Sequence, residues 1–355
     1  PPTTRSKPGL GSSAAAAVVA YLAGRAMAGV AAGPADVHQA ALAVHHRVQG
    51  SGSGIDVART LFFSLYAVQH RGQESAGIAT YDGRQATIHR GMGLVSQVFN
   101  EDNLGPLVGH IGLGHNRYST TGHSNIRNIQ PFLIETLHGP LAVAHNGNLT
   151  NAWQLRRDLL RRGVGLSSSS DSEVLTQMLA MPPDGNTEEH EADWESRLQV
   201  FMERAQGAYS LVVMTHDALY AARDPHGLRP LCYGELLDDA GEVVGWQVAS
   251  ESPALQTVGA RFVRDLKPGE ILRFDEDGVH SLTLPAVPKK AFCIFEYVYF
   301  ARPDAVMEGQ TAHAVRQRMG AILAAESPVD ADVDIGVPDS SLPAAIGYAD
   351  RLGLP

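Results

Sequence analysis

Cysteine is scarce in this sequence, since its 355 residues include only Cys232 and Cys293. Two cysteines cannot complete a four-cysteine zinc site, and they do not indicate the disulfide framework of a small secreted domain. Long apolar runs are lacking as well: no run of 18 apolar residues occurs, and the nearest candidate, 14–32, contains Arg25 and two glycines. The sequence therefore predicts no membrane-spanning helix and no membrane partner, and it favours a cytoplasmic protein.

Positive charge is in short supply outside the first residues. The chain has 28 basic and 38 acidic residues, a net charge of −10. Residues 1–54 hold four of the basic residues and one acidic residue, which leaves 24 basic and 37 acidic residues, or −13, in 55–355. Sequence-independent nucleic-acid binding needs clustered Lys and Arg, so this acidic body argues against a nucleic-acid partner.

Residues 1–54 differ in composition from the rest of the chain. They contain fourteen alanines and no glutamate, and they end in the alternating Gly/Ser stretch 50–54, which is typical of a linker. We interpret this segment as a low-complexity or misassigned leader. An extension, a transit-peptide-like segment and a stretch from a wrong frame or misassembled gene remain open as its origin.

Regular patterns of apolar residues begin at Ile55. A helix is predicted there with Asp56 as its cap, and Asp82-Gly83 predicts a hairpin turn between two strands. Leu141–Ala144 predicts a buried strand, and Asn146–Asn148 predicts a tight turn after it. Further strands are predicted at 209–215, 218–222, 245–249, 271–274 and 332–337, and further helices at 155–160, 173–179 and 344–352. This order of elements predicts layered sheets covered by helices.

Three short motifs offer chemistry, and each also has an ordinary structural explanation. Arg117 stands beside hydroxyl residues, and its guanidinium suits a carboxylate, although a structural ion pair is the simpler interpretation. Asn146 and Gly147 follow a strand, where an amide and a backbone N–H can face a developing oxyanion, although an Asx turn also fits. Asp171 lies in a helix-start sequence and would ordinarily be a cap.

The order of these motifs along the chain is far more specific than any one of them. The sequence contains, in this order, QHRGQESAG at 69–77, GLVSQVF at 93–99, GHNRYSTTG at 114–122, AHNGNL at 144–149, SDSEV at 170–174, ARDPHGLRPL at 222–231, ASES at 249–252, LKPGEI at 266–271 and CIFEYVYFARPD at 293–304. In this series the chain resembles the amidophosphoribosyltransferases over about residues 55–355.

The resemblance implies a fold and an activity. Residues 55–288 would form an α+β N-terminal-nucleophile glutaminase domain with αββα layers, and 289–355 would begin an α/β type I phosphoribosyltransferase domain that is cut short. The implied enzyme performs the first step of de novo purine (IMP) synthesis. It hydrolyses glutamine and transfers the ammonia to phosphoribosyl pyrophosphate, which gives 5-phosphoribosylamine. A homo-oligomer is also implied.

The resemblance also assigns roles in the glutaminase domain. Arg117 would bind the α-carboxylate of glutamine and Asp171 its α-ammonium group. Asn146 and Gly147 would form the oxyanion hole, and Gly72 would lie against the nucleophile. These roles agree with the chemistry of an Arg fork, a carboxylate acceptor and two aimed donors.

The sequence departs from the family at the nucleophile. The family begins its mature chain with a cysteine in an apolar strand, and counting back from Gln69 reaches His45 and His46 instead. Neither a Cys, Ser or Thr nucleophile nor an apolar strand stands there, and Pro1 supplies neither a thiol nor a primary amine. We therefore expect the first strand to be missing and the chain as written to hydrolyse no glutamine.

The metal sites of the family are only partly matched. Ser340 corresponds to a position that binds Mg²⁺, but a lone hydroxyl cannot hold the ion without carboxylates and phosphates. Cys293 corresponds to one ligand of the [4Fe-4S] cluster that some members carry. The resemblance implies Mg²⁺ as a cofactor and leaves open whether a full-length protein carries a [4Fe-4S] cluster.

Two other interpretations remain. A different class II glutamine amidotransferase, such as glucosamine-6-phosphate synthase, is disfavoured by Cys293–Asp304 and Val337–Ser341, which match the phosphoribosyltransferase arrangement. A non-catalytic pseudo-enzyme that retains Arg117 and Asp171 would bind glutamine without turnover.

Overall fold

The computed structural model describes residues 17–23, 55–118, 125–182, 192–284 and 289–355, with the backbone alone for 17–23 and 55–56. The strands are β1 Ala17–Ala23, β2 Ser75–Tyr81, β3 Ala86–Met92, β4 Ile111–Arg117, β5 Phe132–Thr136, β6 Gly139–Leu149, β7 Gly207–Met214, β8 Leu219–Arg223, β9 Cys232–Leu237, β10 Val243–Ala249, β11 Arg261–Asp265, β12 Glu270–Asp275, β13 Gly278–Thr283, β14 Val306–Met307 and β15 Gln310–Thr311. The helices are α1 Ile55–Ala67, α2 Val95–Val98, α3 Glu101–Leu104, α4 Ala152–Arg161, α5 Asp171–Ala180, α6 Trp194–Arg204, α7 Ser252–Thr257, α8 Ala312–Glu326 and α9 Leu342–Leu352.

Two antiparallel sheets form the centre of the molecule. The first has seven strands in the order β11-β9-β10-β1-β4-β2-β3, and the second has six in the order β13-β12-β8-β7-β6-β5. Apolar side chains from the two facing surfaces pack between them, for example Leu113 of β4, Val212 of β7 and Phe274 of β12. Along β7 the neighbours of Val212 point the other way, because successive strand residues face opposite sides of a sheet. Leu211 and Val213 accordingly join the core on the outer side.

Helices cover both outer faces. Leu61 and Leu65 of α1, one helical turn apart, are fully buried with α7 residues against the seven-stranded sheet. Helices α4, α5 and α6 cover the six-stranded sheet, with Leu159, Leu175 and Leu198 buried there. This arrangement confirms the predicted αββα layers.

Most of the predicted elements are confirmed. The hairpin of β2 and β3 turns at Asp82-Gly83, where the Asp82 carboxylate accepts hydrogen bonds from two backbone N–H groups and Gly83 has a φ of 91°. Helix α4 ends before Gly163, whose φ of 83° suits the left-handed residue after a helix. Ser170 caps α5 by accepting a hydrogen bond from the N–H of Ser172.

Three expectations about elements are wrong. The predicted turn at Asn146–Asn148 is the continuation of β6, which pairs with β7 as far as Leu149. Residues 332–337 form no strand, because no described strand lies beside them, and Ile335 is 79% exposed. The first strand is not missing: β1, without a cysteine, occupies the place between β10 and β4.

Residues 289–355 pack against the layers and against each other. Tyr297, Ala305 and Met307 form a small apolar core with the start of α8. Helices α8 and α9 cross so closely at Gly320 that a Cβ there would lie 1.8 Å from the Ala344 carbonyl oxygen. The domain limits at 54 and 288 stay predictions, and the composition change at 285–288 lies outside the described residues.

Candidate functional site

Arg117 is the last residue of β4, and its side chain is only 5% exposed. Its guanidinium forms an ion pair with Glu74, and the Glu74 N–H donates to the Arg117 carbonyl oxygen at 3.1 Å. Sequence reasoning did not identify Glu74. It lies between the helical turn Gln69–Arg71 and β2, so its partner could not be found from helix or strand periodicity. Arg117, the predicted carboxylate-binding residue, is therefore held by Glu74 at the end of strand β4.

Gly72 lies against the backbone of the same strand end. A Cβ at this position would be 2.6 Å from the Asn116 carbonyl carbon and oxygen and 2.7 Å from the Arg117 carbonyl carbon. No larger residue fits without movement of β4. The Asn116 side chain points toward α1, where its Nδ2 donates to the Leu65 carbonyl oxygen at 2.7 Å.

Asn146 and Gly147 are neighbours in β6. Asn146 is fully buried, and its Nδ2 donates to the Ser250 hydroxyl at 3.4 Å. Gly147 pairs with Tyr209 of β7 and has a φ of 157°. A Cβ there would lie 2.0 Å from the Ala208 carbonyl oxygen, so only glycine allows this close approach of strands.

Asp171 is the first residue of α5 and is buried. Its Oδ2 accepts a hydrogen bond from the Leu149 N–H at 3.0 Å, which ties the helix start to the end of β6. Its Oδ1 lies 3.9 Å from His145 Nδ1. A carboxylate at a helix N-terminus is favoured by the helix dipole. Asp171 is thus not the cap itself, which is Ser170, but a buried acceptor beside β6.

Two histidines join these parts. His115 Nε2 of β4 lies 3.2 Å from the His145 carbonyl oxygen of β6, so the two sheets are hydrogen-bonded to each other here. Gln130 holds the backbone of the same residue, with Oε1 accepting from the His145 N–H at 2.7 Å. Burial lowers the pKa of His115 to about 3, which keeps this ring neutral. The ends of β4 and β6 and the start of α5 therefore meet in one place, and a shared cavity facing Arg117 and Asp171 stays a prediction.

A second group of buried charges was missed by the sequence reasoning. Arg71 is completely buried and pairs with Glu251 and Glu296, which are also completely buried. From the sequence alone, the polar stretch 70–75 after an amphipathic helix is typical of a solvated helix end, and the partners of Arg71 lie 180 and 225 residues away along the chain. The sequence does offer one signal for this group, since each of the three residues lies in a quoted family motif. Arg71 lies in 69–77, Glu251 in 249–252 and Glu296 in 293–304.

The predicted metal-binding residues stand apart from any ligand cluster. Ser340 lies half-buried in the turn before α9, and Cys293 is half-buried before the helical turn Glu296–Phe300. Cys232 is buried in β9, and its thiol donates to the Ala249 carbonyl oxygen at 3.3 Å. Across the ranges that the structure describes, no group of three or more His, Cys, Asp or Glu side chains gathers as metal ligands. Two cysteines do not fit a cluster that needs four thiolates.

Comparison with known families gives two matches. The glutamine amidotransferase domain family matches residues 115–257, which include Arg117, Asn146 and Asp171. The GHMP kinases N terminal domain family matches residues 4–65. The described parts of that second range are β1 and the start of α1, which belong to the seven-stranded sheet and the layer on it.

Curated relatives extend over more of the chain. The chain is 50% identical over 319 residues to amidophosphoribosyltransferase of Rattus norvegicus, covering 85% of this chain and 61% of that protein. The protein of the same name from Homo sapiens is 49% identical over 317 residues, again with 85% and 61% covered. The chain thus spans about three fifths of the length of these relatives.

Solved structures give the same result. A structure described as the allosteric regulatory enzyme of purine biosynthesis has a TM-score of 0.79 and 34% identity, and the match covers 96% of this chain and 64% of that one. Glutamine phosphoribosylpyrophosphate amidotransferase from B. subtilis, complexed with ADP and GMP, has a TM-score of 0.78 with the same identity and coverage. None of the helices in the described ranges is long and apolar enough to cross a membrane.

Proposed function

The chain belongs to the amidophosphoribosyltransferase family, and we propose that its αββα layers form the glutamine-binding part of such an enzyme. The observation that carries the proposal is the contact chain through His145, which joins β4, ending in Arg117, to α5, beginning with Asp171. The cation comes from the seven-stranded sheet and the carboxylate from helix α5, which covers the six-stranded sheet, and each is held by its own partner: Glu74 for Arg117 and the Leu149 N–H for Asp171. An amino acid has the complementary pair of charges.

Each side chain has a role that its chemistry supports. The Arg117 guanidinium binds the glutamine α-carboxylate, because a planar fork of N–H donors matches two carboxylate oxygens. The Asp171 carboxylate accepts from the α-ammonium group. Asn146 Nδ2 and the Gly147 N–H stabilise the oxyanion of a tetrahedral intermediate, and Gly72 leaves room beside β4.

We propose the family reaction for the full-length protein. Glutamine is hydrolysed, and the ammonia displaces pyrophosphate from phosphoribosyl pyrophosphate to give 5-phosphoribosylamine. Mg²⁺ would neutralise charge on the pyrophosphate group. Ser340 matches one position for this ion, but among the described residues no group of three or more metal-ligand side chains surrounds a common point. For a [4Fe-4S] cluster, the sequence matches one family ligand, Cys293. A cytoplasmic homo-oligomer is proposed for the same full-length protein.

A second candidate is glutamine binding without hydrolysis. Strand β1 has the sequence AVVAYLA, which contains no Cys, Ser or Thr nucleophile beside Asn116 of β4. An N-terminal nucleophile hydrolase needs a nucleophile that also carries the free α-amine. For the chain as given we therefore propose that glutamine binds and is not turned over.

Calorimetric titration of the 355-residue chain with L-glutamine tests the binding proposal. We expect Arg117→Ala to weaken binding by about 2–4 kcal/mol, because the ligand carboxylate loses its charged donor. Arg261→Ala is the matched control, since Arg261 forms an exposed ion pair with Glu235 at the far edge of the seven-stranded sheet. Equal glutamine affinity of Arg117→Ala and the unaltered chain would refute the assignment of Arg117.

A further inference from the structure

The buried charges around Arg71 form a closed and balanced cluster. Arg71 Nη1 and Nη2 lie 2.9 and 3.0 Å from the two Glu296 oxygens, and Nη1 also contacts Glu251. Arg229 Nη1 lies 3.2 Å from Glu296 Oε1, and His70 Nε2 lies 2.9 Å from Glu251 Oε1. Two guanidinium groups thus face two carboxylates. We call Arg71, Arg229, Glu251 and Glu296 the buried charge cluster.

A cluster of this kind is costly as a stabilising device. Moving ions out of water carries a large desolvation cost, and apolar residues of similar size often serve stability as well or better. What buried, hydrogen-bonded charges do provide is a fixed geometry, because a bidentate guanidinium accepts few arrangements. The position of the cluster therefore matters more than its energy.

Two members of the cluster are chain neighbours of residues that contact the proposed glutamine site. Arg71 is followed by Gly72, which lies against the carbonyl groups of Asn116 and Arg117. Glu251 is preceded by Ser250, whose hydroxyl accepts from Asn146 Nδ2 at 3.4 Å. One cluster thus holds both the β4 side and the β6 side of the site.

The remaining contacts come from the segment 293–304 that follows the second sheet. Glu296 comes from this segment, and the Phe300 ring lies 4.5 Å from the Arg71 guanidinium carbon. The Arg302 N–H donates to Glu251 Oε2 at 3.1 Å, and Arg302 Nη1 donates to the Ala67 carbonyl oxygen at 3.2 Å. Segment 293–304, which lies near the predicted start of the second domain, is therefore attached at the same point that holds the proposed glutamine site.

We infer that the buried charge cluster is a positioning unit, which holds Gly72 and Ser250 in register so that Arg117 and Asn146 are correctly placed for glutamine. It contacts no substrate in this assignment and acts through these neighbours. The same contacts make segment 293–304 part of the glutamine site's support. The inference rests on the proposed glutamine site, but its structural consequence can be measured without glutamine.

The test replaces the charges and keeps the volume. The variant carries Arg71→Met, Arg229→Met, Glu251→Leu and Glu296→Leu, and its control carries Arg264→Met and Glu270→Leu, which remove the ion pair between β11 and β12. Amide hydrogen exchange is measured for residues 72–75, 114–118 and 146–150, together with the melting temperature and the dissociation constant for L-glutamine. Arg71→Lys is measured alongside, since lysine keeps the charge without the two-pronged geometry.

We expect the cluster variant to melt cooperatively within a few degrees of the unaltered chain, with exchange in all three stretches at least tenfold faster and glutamine affinity at least tenfold weaker. The control should change exchange only near β11 and β12. If the cluster variant does not fold, the same exchange measurement on Arg71→Lys decides, and we expect faster exchange in the three stretches there as well. Unchanged exchange in the three stretches of a folded variant would overturn the inference. If the unaltered chain does not bind glutamine, the proposed function is refuted. The exchange measurement, which needs no glutamine, would still test whether the cluster positions these residues.

Discussion

At the scale of single residues, His115 connects the fold to pH. It is completely buried, and its pKa is lowered to about 3, chiefly by burial. A group whose folded-state pKa lies below its unfolded value contributes stability that is complete above the unfolded pKa, near 6.5, and is lost as the pH falls toward the folded value. Protonation of His115 therefore opposes folding between about pH 6.5 and pH 3.

We predict that His115→Gln reduces the loss of stability in acid. Glutamine can still donate to the His145 carbonyl oxygen, but it carries no titrating group. The slope of unfolding free energy against pH should fall by up to about 1.4 kcal/mol per pH unit between pH 6 and pH 4. Urea unfolding at pH 7, 6, 5 and 4 measures it. The burial-lowered pKa of His145 gives the unaltered chain a further slope of the same sign, which the variant keeps. Parallel curves for both proteins would show that His115 does not titrate in this way.

The limits of sequence reasoning are clear at Arg71. Its neighbours in the sequence are polar, and polar residues after an amphipathic helix usually face water. Only the fold shows that Glu251 and Glu296 surround it, since hydrogen bonds over 180 and 225 residues have no periodicity to detect. By contrast, Arg117 and Asp171 could be proposed as site residues because their motifs are local.

At the scale of elements, β6 shows why the predicted turn was wrong. Asn-Gly is typical of two-residue hairpin turns, which favour residues with positive φ. Gly147 does have a positive φ, of 157°, but its backbone stays paired with Tyr209. The same dipeptide can therefore serve a strand in which a second strand approaches too closely for any side chain.

Gly147→Ala should be much more destabilising than another glycine substitution with positive φ. Its Cβ would lie 2.0 Å from the Ala208 carbonyl oxygen, so β6 and β7 must separate. Gly163→Ala is the control, since its φ is 83° and nothing lies within 4 Å of the added Cβ. We expect Gly163→Ala to cost about 1 kcal/mol and Gly147→Ala at least about 2 kcal/mol more. Comparable unfolding midpoints in urea for the two variants would contradict this account.

Strand β1 can be tested as the place of a nucleophile. Ala17 pairs with Asn116, next to Arg117, so the start of β1 lies beside the proposed glutamine site. We predict that a chain beginning at residue 17 with Ala17→Cys gains ammonia release from glutamine, because thiol and α-amine then belong to one residue. The unaltered chain should release none.

Two controls accompany this experiment. Adding Arg117→Ala to the shortened Ala17→Cys chain should abolish the gain, since the substrate is no longer held. An N-acetylated form should also be inactive, because the α-amine is the base. Ammonia release by the unaltered chain above the level of an Asp171→Ala variant would show that the nucleophile lies elsewhere.

At the scale of the whole molecule, the αββα layers follow from the sequence because alternation along strands and the order of elements are local properties. The place of β1 does not, since residues 1–54 carry no amidotransferase motif and pairing with β4 and β10 depends on the assembled sheet. The strand predicted at 332–337 is wrong because strand formation depends on the assembled sheet as well as on the local pattern. An apolar alternating segment forms a strand only where a neighbouring strand accepts its hydrogen bonds, and none of the described strands is placed there.

The segment 332–337 also exposes several apolar side chains to solvent. Val333, Ile335 and Val337 are 55%, 79% and 76% exposed along one extended stretch. An exposed apolar segment that is not paired with any described strand is a template for pairing with another chain. The net charge of −10 opposes such association, and salt screens that repulsion. We therefore predict that the 355-residue chain aggregates, and faster at about 0.5 M than at about 0.05 M salt.

Replacing this surface should slow aggregation without affecting the glutamine site. We expect Ile335→Lys to lower the rate several-fold, because a charge on the extended segment blocks strand pairing. Leu137→Lys is the control, since Leu137 is 86% exposed but stands alone between β5 and β6. Light scattering over time at both salt concentrations measures the rates, and glutamine titration checks that both variants remain folded. If the two lysine variants slow aggregation equally, added charge rather than the 332–337 segment is responsible, because both substitutions add one positive charge to the same acidic molecule.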